Sequence, residues 1–424
     1  MRLVRLAILL EAIIFLAVKW SVSGVLPLSL QECIEVALAQ NPAIVADREA
    51  VREAEIGVTL SRSAYFPRID ASSGYTRSGN GATQDSYSNG VTLSQVLFQG
   101  GRNMAAVKAA RAQARIAQQN LRYLENQIAE SVKEAFYSII QKQEQLALAD
   151  AVLKRRHEDM VLIRLKYKAG IESDPAVSEA EANVSQAEYE KMSAEERLRL
   201  AKIQLNLLMG RSRETPVEIQ EDLHAPQFRS RSGAVEMALS SRPEMRREDA
   251  RLELEKAYMS QSRGSFLPSV NLTASLNRSG DEIFSTQKSW SAGVKATLPL
   301  FDGLKTPANY LQSRASLRRQ RAEYEQTRQT VEEDVERAYT EWLLARKRME
   351  VAEKNLSATT EMYQLTRLQY QQGKTGYFTF QQRELSLTRA EYEKVGASYN
   401  LFTAGARLER AMGMSSSMML RGEK

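Results

Sequence analysis

Apolar and aromatic residues return at every seventh position through two long stretches of this 424-residue chain. Val132, Ile139, Leu146, Leu153, Met160 and Tyr167 form the first series. Adding 203 to each number reaches Val335, Trp342, Met349, Leu356, Tyr363 and Tyr370, which form the second. The arms that follow agree at the same offset. Val177, Val184, Lys191, Leu198 and Leu205 become Phe380, Leu387, Lys394, Leu401 and Leu408. A sustained seven-residue repeat makes helices supercoil and pack side by side. Each return arm also carries an alanine seam: Ala180, Ala187, Ala194 and Ala201, then Ala390, Ala397, Ala404 and Ala411. Charges of mixed sign between the seams, such as Arg155, Arg156 and Glu158, read as a solvated helix face. Two copies of one architectural unit put the function in an assembled shape rather than in a single chemical site.

The copies can be followed end to end. Ala37 to Pro42 corresponds to Ala238 to Pro243, and Phe66-Pro67 to Leu267-Pro268, both at offset 201. Leu97 to Gly100 corresponds to Leu300 to Gly303 at offset 203. Between proline and glycine the hydrophobic period changes to two, which predicts β-hairpins over 69–98 and 269–301. Val270, Leu272, Ala274 and Leu276 share one face, as do Val294, Ala296, Leu298 and Leu300. In the first copy Ile69, Ala71 and Tyr75 share a face, and so do Val91, Leu93 and Leu97.

Each hairpin leads into a long helix. Arg102 to Tyr167 is 66 residues, roughly 100 Å at 1.5 Å per residue. The stretch from Thr306 to Tyr370 repeats it. Gly170 and Gly373 read as left-handed caps. Asp174 reads as the N-cap of the returning helix, with Pro175 at its first position. The organisation expected is therefore a first repeat over 24–210 (helix, β-hairpin, helical hairpin 102–210) and a linker or equatorial belt over 211–232. A second repeat over 233–413, with its helical hairpin at 306–413, and a tail over 414–424 complete it.

Composition narrows the setting. Glycine and proline are scarce, at 21 and 10 residues, as suits long helices. The net charge of +6 arises from 58 basic and 52 acidic residues. This is interspersed charge without a basic-aromatic platform, so no nucleic-acid partner is expected. Arg2 and Arg5, the apolar run Leu6 to Val18, and Ser21 and Ser23 read as an export signal over 1–23. Cys33 is the single cysteine, so no disulfide forms within the chain. His157 and His224 lie far apart and make no metal motif. No phosphate loop, nucleophile elbow or metal cluster is present, so neither enzyme nor cofactor is expected.

Four strands do not close a stable sheet, because small barrels need about eight, and an open sheet leaves unpaired edges. Several chains pooling their hairpins would resolve this, with the apolar face to lipid and the polar face to a water-filled lumen. Three chains give twelve strands. Tyr87 and Trp290, matched at offset 203, are candidates for an interfacial aromatic belt.

The chain resembles the outer-membrane efflux proteins, the family of the channel-tunnel protein TolC. The residues that carry the resemblance run through nearly all of it. They are Leu28-Ser29-Leu30-Gln31 into Asn41-Pro42, then Phe66-Pro67 and Leu267-Pro268 before the strands. Leu97-Phe98-Gln99-Gly100-Gly101 and Leu300-Phe301-Asp302-Gly303 follow the strands. The Tyr-x-x-Gly turns at Tyr167 to Gly170 and Tyr370 to Gly373 complete the set. The resemblance implies a mainly α fold with a transmembrane β-barrel: a homotrimer whose helical hairpins form a periplasmic α-barrel under a 12-stranded barrel. It implies a passive exit duct in the outer membrane of a Gram-negative bacterium. The expected partners are lipid, a periplasmic adaptor and an inner-membrane pump.

It further implies that the helix-hairpin turns, Gly170 to Pro175 and Gly373 to Phe380, form the tip that contacts the adaptor and opens. Departures occur there. Carboxylates common in the family are replaced by Thr379 and Gln382. The arginine of the best-known lock corresponds to Thr375, while its tyrosine matches Tyr370. Asp174 is the nearest carboxylate of the first hairpin. The expectation is a gate closed by packing of Tyr370, Tyr377 and Phe378. Rival readings are an exported coiled-coil structural protein or a periplasmic adaptor without its own pore. Alternating hairpins ahead of both helical pairs favour the channel.

Overall fold

A computed structural model describes residues 27–79, 83–219, 228, 230–282 and 287–414. The expected export signal over 1–23, His224, part of the linker and the tail beyond residue 414 lie outside the described residues. Both repeats have the same plan. In the first, α1 (Leu30–Gln40) and α2 (Pro42–Arg62) precede β1 (Arg68–Gly79) and β2 (Thr83–Gln99). Then come α3 (Arg102–Lys168) and α4 (Asp174–Leu208). In the second, α5 (Arg231–Ser241) and α6 (Pro243–Gly264) precede β3 (Ser269–Gly280) and β4 (Lys288–Thr297). There α7 (Lys305–Gln371) and α8 (Tyr377–Ala411) follow.

Local chemistry sets these boundaries. Ser29 and Glu32 form a reciprocal capping box at the start of α1. Asn41 ends α1, caps α2 through Ala43 N–H, and donates to Leu208 O at 2.8 Å. It thereby ties the start of the repeat to the end of its return arm. Pro42 and Pro243 sit in the first turn of the next helix, where a missing N–H costs little. The four helices of the two hairpins end alike: Gly170, Gly210, Gly373 and Gly413 all have φ near +70°. At each, the two backbone bonds of a Schellman motif close the helix, as with Gly170 N–H to Tyr167 O and Ile171 N–H to Lys166 O. At the other end of α7 the first copy's Gly101 is replaced by Leu304, held at φ 70°.

The strands form one antiparallel meander in the order β1-β2-β3-β4. Directly paired rows put Ile69, Leu93, Ala274 and Ala292 on one face, and Ala71, Val91, Leu276 and Trp290 in the next row of that face. A register shift between Val96 and Phe98 turns Phe98, not Leu97, onto the apolar face opposite Val270. The sequence alternation placed Leu97 there, because a bulge leaves no mark on a period-two count. The second hairpin is also shorter than the expected 269–301. Strand β4 ends at Thr297, and Leu300 and Phe301 continue as exposed irregular chain.

Two equivalent cores sit where the short helices meet the long ones. Cys33, Ile34 and Ala37 pack on Val132, Phe136, Ile139, Leu205 and Met209. Ala234, Ala238 and Met245 pack on Val331, Val335, Trp342, Leu401 and Leu408. Val217 and Ile219 of the linker join the first core, and Glu218 O accepts from Leu28 N–H. No described helix is long and apolar enough to cross a membrane.

Candidate functional site: the tip of the helical hairpins

A third core brings the ends of both hairpins together. Ile163, Ala176 and Ala180 of the first pack against Tyr363, Tyr370, Phe380 and Leu387 of the second. The Tyr370 ring lies flat on Phe380, with centroids 4.9 Å apart and planes 2° apart. Tyr363 stacks on the same phenylalanine at 6.0 Å. From α3, the Lys166 ammonium sits 4.0 Å from the Tyr370 ring centroid and donates to Tyr370 O. Such a contact supplies about 0.5–2 kcal/mol, depending on desolvation. Burial lifts the Tyr370 hydroxyl above the usual phenol range and holds Tyr363 and Tyr377 at about 12. All three stay neutral at any physiological pH.

Directly above this core lies a buried ionic cluster between α3 and α8. The Arg155 guanidinium donates to both Glu391 oxygens at 3.1 and 2.8 Å and to Thr388 Oγ1 at 3.1 Å. Arg156 donates to Glu384 at 3.4 Å and to Asn183 O at 3.0 Å. From α7, Arg367 bonds Glu158 at 3.1 Å and stands 3.9 Å from Asp159. Both Asp159 oxygens are buried without a hydrogen-bond donor. Desolvation, with the nearby Glu384 charge, raises Asp159 to about 7. Burial likewise raises Glu384. The expectation of a solvated face at Arg155 and Arg156 is thus overturned. Arg156 is 7% exposed, because α3 packs against α8 as well as against α4. Nearer the middle, Lys133–Glu409, Glu134–Arg407 and Glu130–Arg410 link the same two helices. Beside the tip cluster a groove of about 410 Å³ opens between α4 and α8, with Arg197, Arg389, Tyr189 and Tyr392 on its walls.

The outer membrane efflux protein model matches residues 33–211 and again 234–414, once for each repeat. The chain belongs to the outer membrane efflux protein family. It is 30% identical to the protein CyaE of Bordetella pertussis over 336 residues, covering 75% of this chain and 70% of the relative. It is 25% identical to the outer membrane efflux protein BepC of Brucella suis, covering 88% and 84%. The fold matches the outer membrane protein VceC of Vibrio cholerae with a TM-score of 0.80 at 19% identity, covering 91% and 96%.

In this efflux-family chain the sequence-predicted tip residues separate into three groups. Tyr370 and Tyr377 enter the shared core, and Thr375 is half-buried at its edge. Gly170 and Gly373 are exposed left-handed caps. Asp174, Pro175, Thr379 and Gln382 lie exposed on the surface. Ser173, not Asp174, is the N-cap of α4, so Asp174 occupies the first helical position. Phe378 is 76% exposed and takes no part in the packing. Its place is taken by Phe380, two residues on and on the opposite side of α8. The sequence reading missed Lys166, Asp159, Glu384, Glu391 and Arg367. One signal was available: Glu384 and Glu391 are seven residues apart, the spacing of a helix seam.

Tyr87 and Trp290 do not share a row of the sheet. Trp290 aligns through Leu276 with Val91, four residues from Tyr87, or about 13 Å along the strand. Tyr87 instead meets Tyr75, with ring centroids 5.0 Å apart and planes tilted by 38°.

Proposed function

We propose that three copies of this chain form a passive exit duct in the outer membrane, serving a tripartite efflux or secretion system. The sheet carries this reading. Its four strands run in sequence order, so β1 and β4 are the edges, without a partner strand among the described residues. Joining β1 of one copy to β4 of the next is a head-to-tail contact that closes into a ring, and three copies supply twelve strands. The face bearing Leu272, Leu276, Trp290 and Val294 then meets lipid. The opposite face, with the Arg68–Asp70 pair, meets water. The long helices continue below as the periplasmic wall, and transport needs no catalysis by this chain.

The hairpin ends form the periplasmic mouth, and the turns at 170–175 and 373–380 meet an adaptor coupled to an inner-membrane pump. The closed mouth is held by Tyr370, Phe380 and Tyr377 rather than by Phe378. The buried cluster around Arg155 and Glu384 holds the first hairpin to the second. Extraction from outer membranes should yield a heat-modifiable trimer of low conductance in planar bilayers, and Tyr370→Ala should raise that conductance. A soluble monomer would refute the duct. A trimer whose Tyr370→Ala variant stays equally closed would keep the duct and remove Tyr370 from its gate.

A further inference from the structure

The row of the sheet just beyond Trp290 has a composition that a lipid-facing surface does not need. Ser73, Asn89, Arg278 and Lys288 pair directly in sequence across all four strands. They point to the same face as Leu276 and Trp290, two residues nearer the hairpin turns. On the other side of the row, two residues farther out, lies the tilted Tyr75–Tyr87 pair. Arg278 and Lys288 are directly opposite each other. Like charges in that relation destabilise a strand pair. Among the described residues neither meets a carboxylate. The ion pairs of the sheet are Arg68–Asp70, on the other face, and Arg77–Asp85, which lies beyond the tyrosines and also engages the Tyr75 hydroxyl. Ser73 Oγ donates to Asn89 Oδ1 at 2.7 Å, so the row offers two cations with no carboxylate beside them among the described residues. It lies where the apolar band gives way to the aromatic belt, at the depth of lipid headgroups.

We propose that this row is a binding site for the phosphate groups of anionic lipid, one per chain and three around the barrel. Arg278 and Lys288 share one phosphate, whose charge removes their mutual repulsion, and Asn89 and Ser73 lie alongside it. The inference rests on the reading that the Trp290 face meets lipid.

Trp290 is itself a reporter, because it is 79% exposed in the single chain while Trp342 is buried in the helical core. The purified channel is reconstituted in mixed vesicles carrying acyl-chain bromines on phosphatidylglycerol or, separately, on phosphatidylcholine. Wild type should prefer the anionic lipid, by about fivefold for each basic residue at low salt. The Arg278→Gln/Lys288→Gln variant should lose the preference, and Arg278→Lys/Lys288→Arg should keep it. Equal quenching of wild type by both lipids, or a preference that survives in the glutamine variant, overturns the proposal while leaving the face lipid-exposed. No quenching by either lipid overturns the lipid-facing reading itself and the site with it.

Discussion

Asp159→Asn is expected to tighten the tip, and to do so only once the pH exceeds the ordinary carboxylate range. Desolvation chiefly raises Asp159 from 3.8 to about 7 in this structure. Below about pH 4 the carboxyl is protonated in both closed and opened tips, so its burial adds no penalty. Between about 4 and 7 the opened, hydrated carboxyl ionises while the closed one does not, so closure weakens as pH rises. Above 7 the penalty is constant. A shift of about three units at 1.36 kcal/mol each sets a ceiling of about 4 kcal/mol. Water penetration and relaxation reduce it, and about 1 kcal/mol, roughly fivefold in local opening, is a conservative floor. The assay is amide hydrogen exchange on the purified channel across residues 156–170 and 363–384, from pH 4.5 to 8, normalised to intrinsic rates. Protection in Asp159→Asn relative to wild type should rise with pH up to about 7 and then level, ending at least about fivefold higher. A ratio that stays flat with pH, or a variant less protected at pH 8, would refute the reasoning. Either would mean that Asp159 is ionised and held by a cation in the assembled protein.

Other substitutions test separate parts of the structure. Tyr370→Ala and Phe380→Ala each empty a stacked site in the tip core, at a cost of about 3–5 kcal/mol. Both should raise single-channel conductance, whereas Phe378→Ala, on an exposed ring, should leave it unchanged. Ala187→Leu and Ala390→Leu add three carbons at positions 1% and 2% exposed. Each should cost about 1–3 kcal/mol, seen as a lower temperature for loss of the trimer band. Leu304→Gly removes a left-handed leucine at a position where the first repeat has glycine. It should stabilise by up to about 1 kcal/mol, read as a higher midpoint in denaturant.

What was legible in the sequence followed from periods, and what was not lay where one helix serves several neighbours. A heptad count finds the one seam on which a helix is apolar. It located Val132, Ile139, Val335, Trp342 and every seam alanine but Ala194, which is half-buried beside the groove, because α3–α4 and α7–α8 are joined by apolar and alanine contacts. The two copies differ in sequence at the tip turns, Ser173-Asp174-Pro175 against Gly376-Tyr377-Phe378, but the heptad count still paired Tyr167 with Tyr370. Tyr370 is 1% exposed, while its counterpart Tyr167 is 42% exposed. In the lower half of α3 the buried positions become Ala149, Val152, Arg156, Asp159 and Ile163, a seam displaced from Leu146, Leu153 and Met160. The displacement arises because α3 must face α8 as well as α4, and that second contact adds buried charge to the apolar core at Ile163 and Phe380. Partners such as Arg155 and Glu391 are 236 positions apart, so no local pattern announces them. The physical division is consequential for the proposed gate. Apolar seams within each hairpin are insensitive to pH and salt, so each hairpin holds together as a unit. The ionic seam between hairpins depends on how each charge is desolvated and paired. Motion at the mouth is therefore expected along α3–α8, with Asp159, the one buried carboxylate there without a hydrogen-bond donor, as its weakest point.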